Sequence, residues 1–182
     1  MVLSNFEKRA ATDVKAVGKK LTGYVATFGL ETRIGDFSEV IQAGAFGASL
    51  RSNPDILALV DHDPGKVLGR SASGSLILEE DQKGLRFELD LPDTQLGRDI
   101  ASLAARHDIG GMSFGFNVPE GGDEWHGERR TLKAIDLREI SVVQAFPAYS
   151  GTSLAGRSRK PMTDAQRRIR ILELEGGAYV AV

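Results

Sequence analysis

Apolar residues in this chain come in short runs with a period of two, cut apart by turn residues, a pattern that suits sheets and not helix bundles. The clearest run is Leu85-Arg86-Phe87-Glu88-Leu89-Asp90-Leu91, whose apolar side chains share one face while the charges share the other. Ile56-Leu57-Ala58-Leu59-Val60 is apolar on both faces and reads as a buried strand that ends abruptly at Asp61-His62-Asp63-Pro64-Gly65. Further strands are expected over residues 20–28, 37–41, 67–70, 75–78, 110–116 and 131–143, with residues 119–130 as a loop holding Trp125 and His126. Helical spacing is rare. Leu96, Ile100, Leu103 and Ala104 follow Asp93 or Thr94 as cap and predict a helix ending near His107, and a helical turn ends near Leu50. The expectation is a mainly β fold, an antiparallel β-barrel or sandwich with one or two helices packed on it.

At 182 residues the chain is long enough for one well-filled core. That domain is expected over residues 18–157. Residues 1–17 lack a period and read as an N-terminal arm, and residues 158–182 read as a tail. Within the tail, Thr163-Asp164-Ala165-Gln166 forms a capping box before a short helix. A net charge of -2 gives no electrostatic basis for binding nucleic acid or an anionic membrane. With no cysteine, disulfides and thiol catalysis are excluded. The first residues are charged too early for a signal peptide and no apolar run has membrane-spanning length, so a cytosolic protein is expected.

Chemistry concentrates at Gly110-Gly111-Met112-Ser113-Phe114-Gly115-Phe116. Met112, Phe114 and Phe116 share one face. Ser113 and Asn117 take the other, with Gly111 and Gly115 flanking the serine and leaving room for a ligand or another backbone. Such a hydroxyl suits a nucleophile reached by an extended peptide, although a small-neighboured edge serine has the same spacing. A serine needs an adjacent base, and His62 at the end of its apolar strand is the candidate, against the alternative of a surface turn histidine. Glu139, on an apolar face of Ile135-Asp136-Leu137-Arg138-Glu139-Ile140-Ser141-Val142-Val143, would be costly to bury unless paired, and protonated His62 would be such a partner. An arginine partner would serve equally, and Asp136 on the opposite face is the second choice. His107 and His126 read as surface residues. Asp61-His62-Asp63 hints at a metal, but the three histidines lack ligand spacing, so neither metal nor cofactor is expected.

Six pieces of the chain, in order, carry a resemblance. They are Gly23-Tyr24 with Phe28; Gly44-Ala45-Phe46; His62-Asp63-Pro64 with Val67-Leu68-Gly69-Arg70; Gly111-Met112-Ser113-Phe114-Gly115-Phe116; Leu137-Arg138-Glu139-Ile140-Ser141-Val142-Val143; and Pro147-Ala148-Tyr149 followed by Thr152. From about Leu21 to Arg157 the chain resembles the prohead (capsid maturation) proteases of tailed bacteriophages, related in fold to the herpesvirus assemblins. The resemblance implies a herpesvirus-protease-like barrel and a serine endopeptidase with Ser113 as nucleophile and His62 as base. Where the herpesvirus relatives carry a histidine as third member, the matching strand here has Glu139, so an acidic third member is inferred, with Asp136 and His126 as alternatives. It also implies action inside the immature capsid in the host cytoplasm, on the scaffolding portion of the major capsid protein or a separate scaffold, and on the enzyme's own C-terminal tail. A homodimer follows only by analogy with the herpesvirus enzymes. Backbone donors for an oxyanion are expected from residues 147–151. The competing class is a non-catalytic scaffold or capsid-binding module on the same barrel.

Overall fold

The computed structural model describes residues 6–11 and 14–145. In chain order the elements are β1 (Glu7–Ala11), β2 (Val14–Val17), β3 (Lys20–Thr27), β4 (Thr32–Ile34), β5 (Phe37–Ile41), α1 (Gly47–Ser52), β6 (Leu57–Val60) and β7 (Asp63–Arg70). They continue with β8 (Leu76–Glu80), β9 (Gly84–Asp90), α2 (Gln95–Ala105), β10 (Gly111–Asn117), β11 (Asp123–His126), β12 (Arg129–Leu132) and β13 (Asp136–Val143). The mainly β expectation holds. Three sheets form, in the orders β1-β10-β13-β6-β7, β11-β12-β5-β4 and β2-β3-β9-β8. No closed barrel is found among the described residues, because each sheet ends in edge strands. Most pairs are antiparallel, but β13 runs parallel to β6 and β12 runs parallel to β5.

The alternation read from sequence is what fills the core. Leu85, Phe87 and Leu89 on β9 are fully buried, as are Leu21 and Val25 on β3 beside it. From β10 Met112, Phe114 and Phe116 enter the same cluster, where Phe114 stacks on Phe116 at 5.2 Å and meets the edge of Phe46 at 5.7 Å. Each such side chain contributes roughly 1.5–3 kcal/mol on burial. This apolar layer is the floor beneath the polar face of β10. The helix α2 closes the core with Ile100 and Ala104, and Thr94 caps it by accepting a hydrogen bond from the Gly97 amide at 3.2 Å.

Three departures from the sequence reading bear most on the site. Within residues 1–17, read as an N-terminal arm, β1 adds an edge to the first sheet and β2 pairs with β3. No apolar period marks β1 because its buried side chains are charged: Glu7 is 8% exposed. Residues 119–130 are no plain loop, since β11 and β12 make a hairpin with Gly127 at φ 61° in its turn. The single strand expected over 131–143 is two strands in different sheets. At the crossing, the amides of Lys133 and Ala134 donate to the Gly122 carbonyl and Ile135 donates to Ala45, so the backbone stays satisfied while leaving the ladder. The capping box and helix expected in the tail lie outside the described residues.

Candidate active site

The first sheet assembles the candidate residues from three neighbouring strands. Between β6 and β7 the connection is two residues long, Asp61 at φ 51° and His62 at φ 60°. Two successive positive φ angles are the signature of a type I′ hairpin turn, which favours asparagine, aspartate and glycine. A histidine held there costs of order 1–3 kcal/mol and persists only where its surroundings fix it. They do so at three points. The Asp61 amide donates to the Val142 carbonyl at 2.9 Å, Asp61 Oδ1 accepts from the Gln144 amide at 3.0 Å, and the His62 amide donates to Ser141 Oγ at 3.1 Å. Beyond the turn the register jumps: Val60 pairs with Asp63 but Leu59 pairs with Val67, leaving Pro64, Gly65 and Lys66 looped out of an edge strand. That is where a proline is tolerated in a sheet.

Glu139 lies on β13 and is 6% exposed. Its Oε1 is 2.6 Å from His62 Nδ1, and its Oε2 accepts from the Ser141 hydroxyl at 2.6 Å. The buried acid thus has the partner its burial requires, and the imidazole presents Nε2 as its remaining proton-transfer atom. The carboxylate reaches this position because its strand neighbour is glycine. Gly115 is the register partner of Glu139, and a Cβ there would come within 2.2 Å of Glu139 Oε1 and 2.2 Å of the Phe6 ring. The space beside Ser113 that looks open in the sequence is therefore filled, by an acid and an aromatic ring. A register shift at Gly115/Phe116 also explains how Leu137 joins the core while Glu139 does not continue its face.

Ser113 lies on β10 directly across the ladder from Ser141, so the hydroxyls of adjacent strands share a face. It is 4% exposed, and its hydroxyl donates to the Arg9 carbonyl of β1 at 2.6 Å rather than to the imidazole. The covering strand β1 is held by an ion network that the sequence gives no means of finding. Arg9 grips Glu39 through Nε at 2.5 Å and a second nitrogen at 2.7 Å, and reaches Glu7 at 2.8 Å. Arg130, 2% exposed, takes both oxygens of Glu7 at 2.7 and 2.9 Å, one of Glu39 at 3.1 Å and Asp123 at 2.9 Å. Burial opposes the charge on both guanidiniums, yet the surrounding carboxylates outweigh it and hold both pKa values above the usual arginine value.

The other candidates stand apart. Asp136 pairs with Arg138 at 2.5 Å, and His126 is an exposed side chain against Glu124 at 3.0 Å on a different sheet. His107 is exposed at the end of α2 with φ 61°. Asp61 and Asp63 spend oxygens on backbone amides, and no group of three His, Asp or Glu side chains suited to a metal occurs among the described residues. Residues 147–151, expected to supply oxyanion donors, lie outside the described residues. Ser141 is the residue the sequence reading passed over. Its signal was its place two positions past Glu139, on the same face of one strand.

No curated protein and no solved structure matches the chain. The family model for the caudovirus prohead serine protease matches residues 4–166, spanning β1 through β13 and most of the 182 residues. The chain belongs to the caudovirus prohead serine protease family and is a serine endopeptidase of capsid maturation.

Proposed function

We propose that Ser113 is the nucleophile of this peptidase, His62 its general base and Glu139 the carboxylate that orients the base. The observation that carries this reading is the 2.6 Å contact between His62 Nδ1 and Glu139 Oε1, made by a buried acid on the strand next to Ser113. With Nδ1–H held by Glu139, Nε2 is free to take the Ser113 proton as Oγ attacks the scissile carbonyl. The same nitrogen then gives that proton to the leaving amine, the acyl group remains on Oγ, and a water molecule activated by Nε2 releases it. Throughout, Glu139 supports the imidazolium without taking the proton.

At 4% exposure Ser113 cannot meet a peptide carbonyl while its hydroxyl is bonded to Arg9. Turnover therefore requires β1 to give way beside the nucleophile. The substrates are capsid proteins: the scaffolding portion of the major capsid protein or a separate scaffold, cut inside the immature capsid, together with the enzyme's own segment over residues 158–182. The test is a time course of intact-mass spectra on the purified chain, with and without a serine-directed phosphonate. The expected result is loss of a C-terminal fragment, blocked by one phosphonate on Ser113 and absent in Ser113→Ala. Undiminished trimming in Ser113→Ala would refute the assignment. A parent chain that neither trims, cuts capsid protein nor takes up phosphonate would favour a non-catalytic capsid-binding module.

A further inference from the structure

We infer that Ser141 is a positioning residue of the active site, a fourth member that fixes both the acid and the base. The inference rests on the assignment of His62 and Glu139 above and extends it. Ser141 is fully buried on β13, two residues beyond Glu139, and its one oxygen does two tasks. As donor it gives its proton to Glu139 Oε2 at 2.6 Å, and as acceptor it receives the backbone N–H of His62 at 3.1 Å.

Each bond answers a separate physical need. Glu139 offers Oε1 to the imidazole, and its second oxygen, buried with the first, would otherwise lose its hydration without replacement. A charge-assisted bond from the hydroxyl meets that need and fixes the plane of the carboxylate, which sets the direction of its bond to Nδ1. On the other side, His62 sits at the second position of a turn with positive φ, and its amide points away from the β6–β7 ladder. Ser141 Oγ is the acceptor that ties this amide to the acid strand. A hydroxyl is the compact group that can donate and accept on one atom. Alanine at this position would leave a carboxylate oxygen and a backbone N–H unpaired together. The two bonds converge on one atom, so the imidazole ring and the carboxylate move as a unit.

The register gives the arrangement its relation to the nucleophile. Ser141 faces Ser113 across the β10–β13 ladder, and Val142, its neighbour, accepts from the Asp61 amide. A single strand thus sets the distance of the turn from the nucleophile strand and the direction of the base.

The test compares the full chain with Ser141→Ala, and Ser141→Thr with Ser141→Val, a pair of nearly equal volume that differs by the hydroxyl. Initial rates on a peptide substrate, the rate of phosphonate labelling at Ser113 and the low-field imidazole N–H resonance of His62 are measured in each. Losing a hydrogen bond to a charged group should lower kcat about 10- to 100-fold in the alanine and valine variants. KM should change less than about twofold, the His62 N–H resonance should broaden or vanish, and threonine should restore most of the rate. Where the alanine variant fails to fold, the threonine–valine pair carries the comparison, and loss of fold in valine with retention in threonine would reduce Ser141 to a structural residue and overturn the inference. Parent-like kcat and an unchanged N–H resonance in the valine or alanine variant would also overturn it. Failure of the parent itself to label at Ser113 would instead overturn the catalytic assignment.

Discussion

Gly115→Ala makes a pointed test of the site because it adds one methyl group and touches no reacting atom. The glycine backbone is not left-handed, so alanine is conformationally acceptable, and the obstruction is purely what its Cβ would meet. Those atoms are Glu139 Oε1 at 2.2 Å and the tip of the Phe6 ring at 2.2 Å. Both are ends of side chains, and Phe6 is 43% exposed, so the sheet itself need not shift. The carboxylate oxygen must retreat by about 1 Å to reach van der Waals distance, and it is the same atom that holds His62 Nδ1 at 2.6 Å. A misplacement of that size costs about 10²-fold in rate, and the upper bound is the roughly 10⁴-fold loss seen when an orienting carboxylate is disabled. Folding should change little, since relief of glycine's chain entropy, roughly 0.5–1 kcal/mol, works against the weakened contact. The assay pairs hydrolysis of a peptide substrate with a thermal melt, and includes Phe6→Ala to separate the ring from the acid. Expected are a fall in kcat of about 10²- to 10⁴-fold with a near-parent melt for Gly115→Ala, persisting in the Phe6→Ala background. Full activity in Gly115→Ala would refute the claim that this glycine exists to admit the acid.

Further outcomes follow from the ion network, the surface pairs and the helix cap. Arg130→Met would leave the buried carboxylates of Glu7 and Glu39 sharing the charge of Arg9 and should cost about 3–5 kcal/mol in urea denaturation; a loss below about 1 kcal/mol would mean the network contributes no more than a surface pair. The Asp55 carboxyl is held below its ordinary value first by its hydrogen bond to Arg70, so its stabilisation is complete above about pH 4 and lost as pH falls through the lowered value. Arg70→Met should accordingly melt below the parent at neutral pH, with the gap closing in acid; a gap that stays constant down to pH 2 would contradict this. Thr94→Ala removes the cap on α2 and should cost about 0.5–2 kcal/mol without changing kcat, read by thermal melts alongside initial rates.

The sequence carries the parts of this molecule whose burial is apolar, and hides the parts whose burial is polar. Strand β9 and the floor beneath Ser113 are legible because Leu85, Phe87, Leu89, Met112, Phe114 and Phe116 alternate without interruption. Strand β1 is not, because its inward side chains Glu7 and Arg9 resemble a solvated surface until Glu39 and Arg130 arrive from β5 and β12. His62 and Glu139 are nameable as a base and an acid, the latter because a carboxylate among apolar neighbours needs a partner. Their meeting depends on a type I′ turn built without glycine and on a parallel β13–β6 pairing, neither of which local spacing reports. Gly115 is visible in the sequence as an oddity, but spacing does not say what fills its gap, which admits Glu139 and Phe6. A count of short strands cannot distinguish a closed barrel from the three open sheets found among the described residues.

The central claim is that one hydroxyl, one imidazole and one carboxylate act together across β10, the β6–β7 turn and β13. Its most direct test is a crystal structure of the enzyme inactivated with a peptidyl phosphonate. The account predicts phosphorus bonded to Ser113 Oγ, His62 Nε2 within hydrogen-bond distance of the adduct, Nδ1 still on Glu139, and the Arg9 carbonyl released from the serine. An adduct on another residue, or an imidazole that stays remote from the modified Ser113, would contradict it.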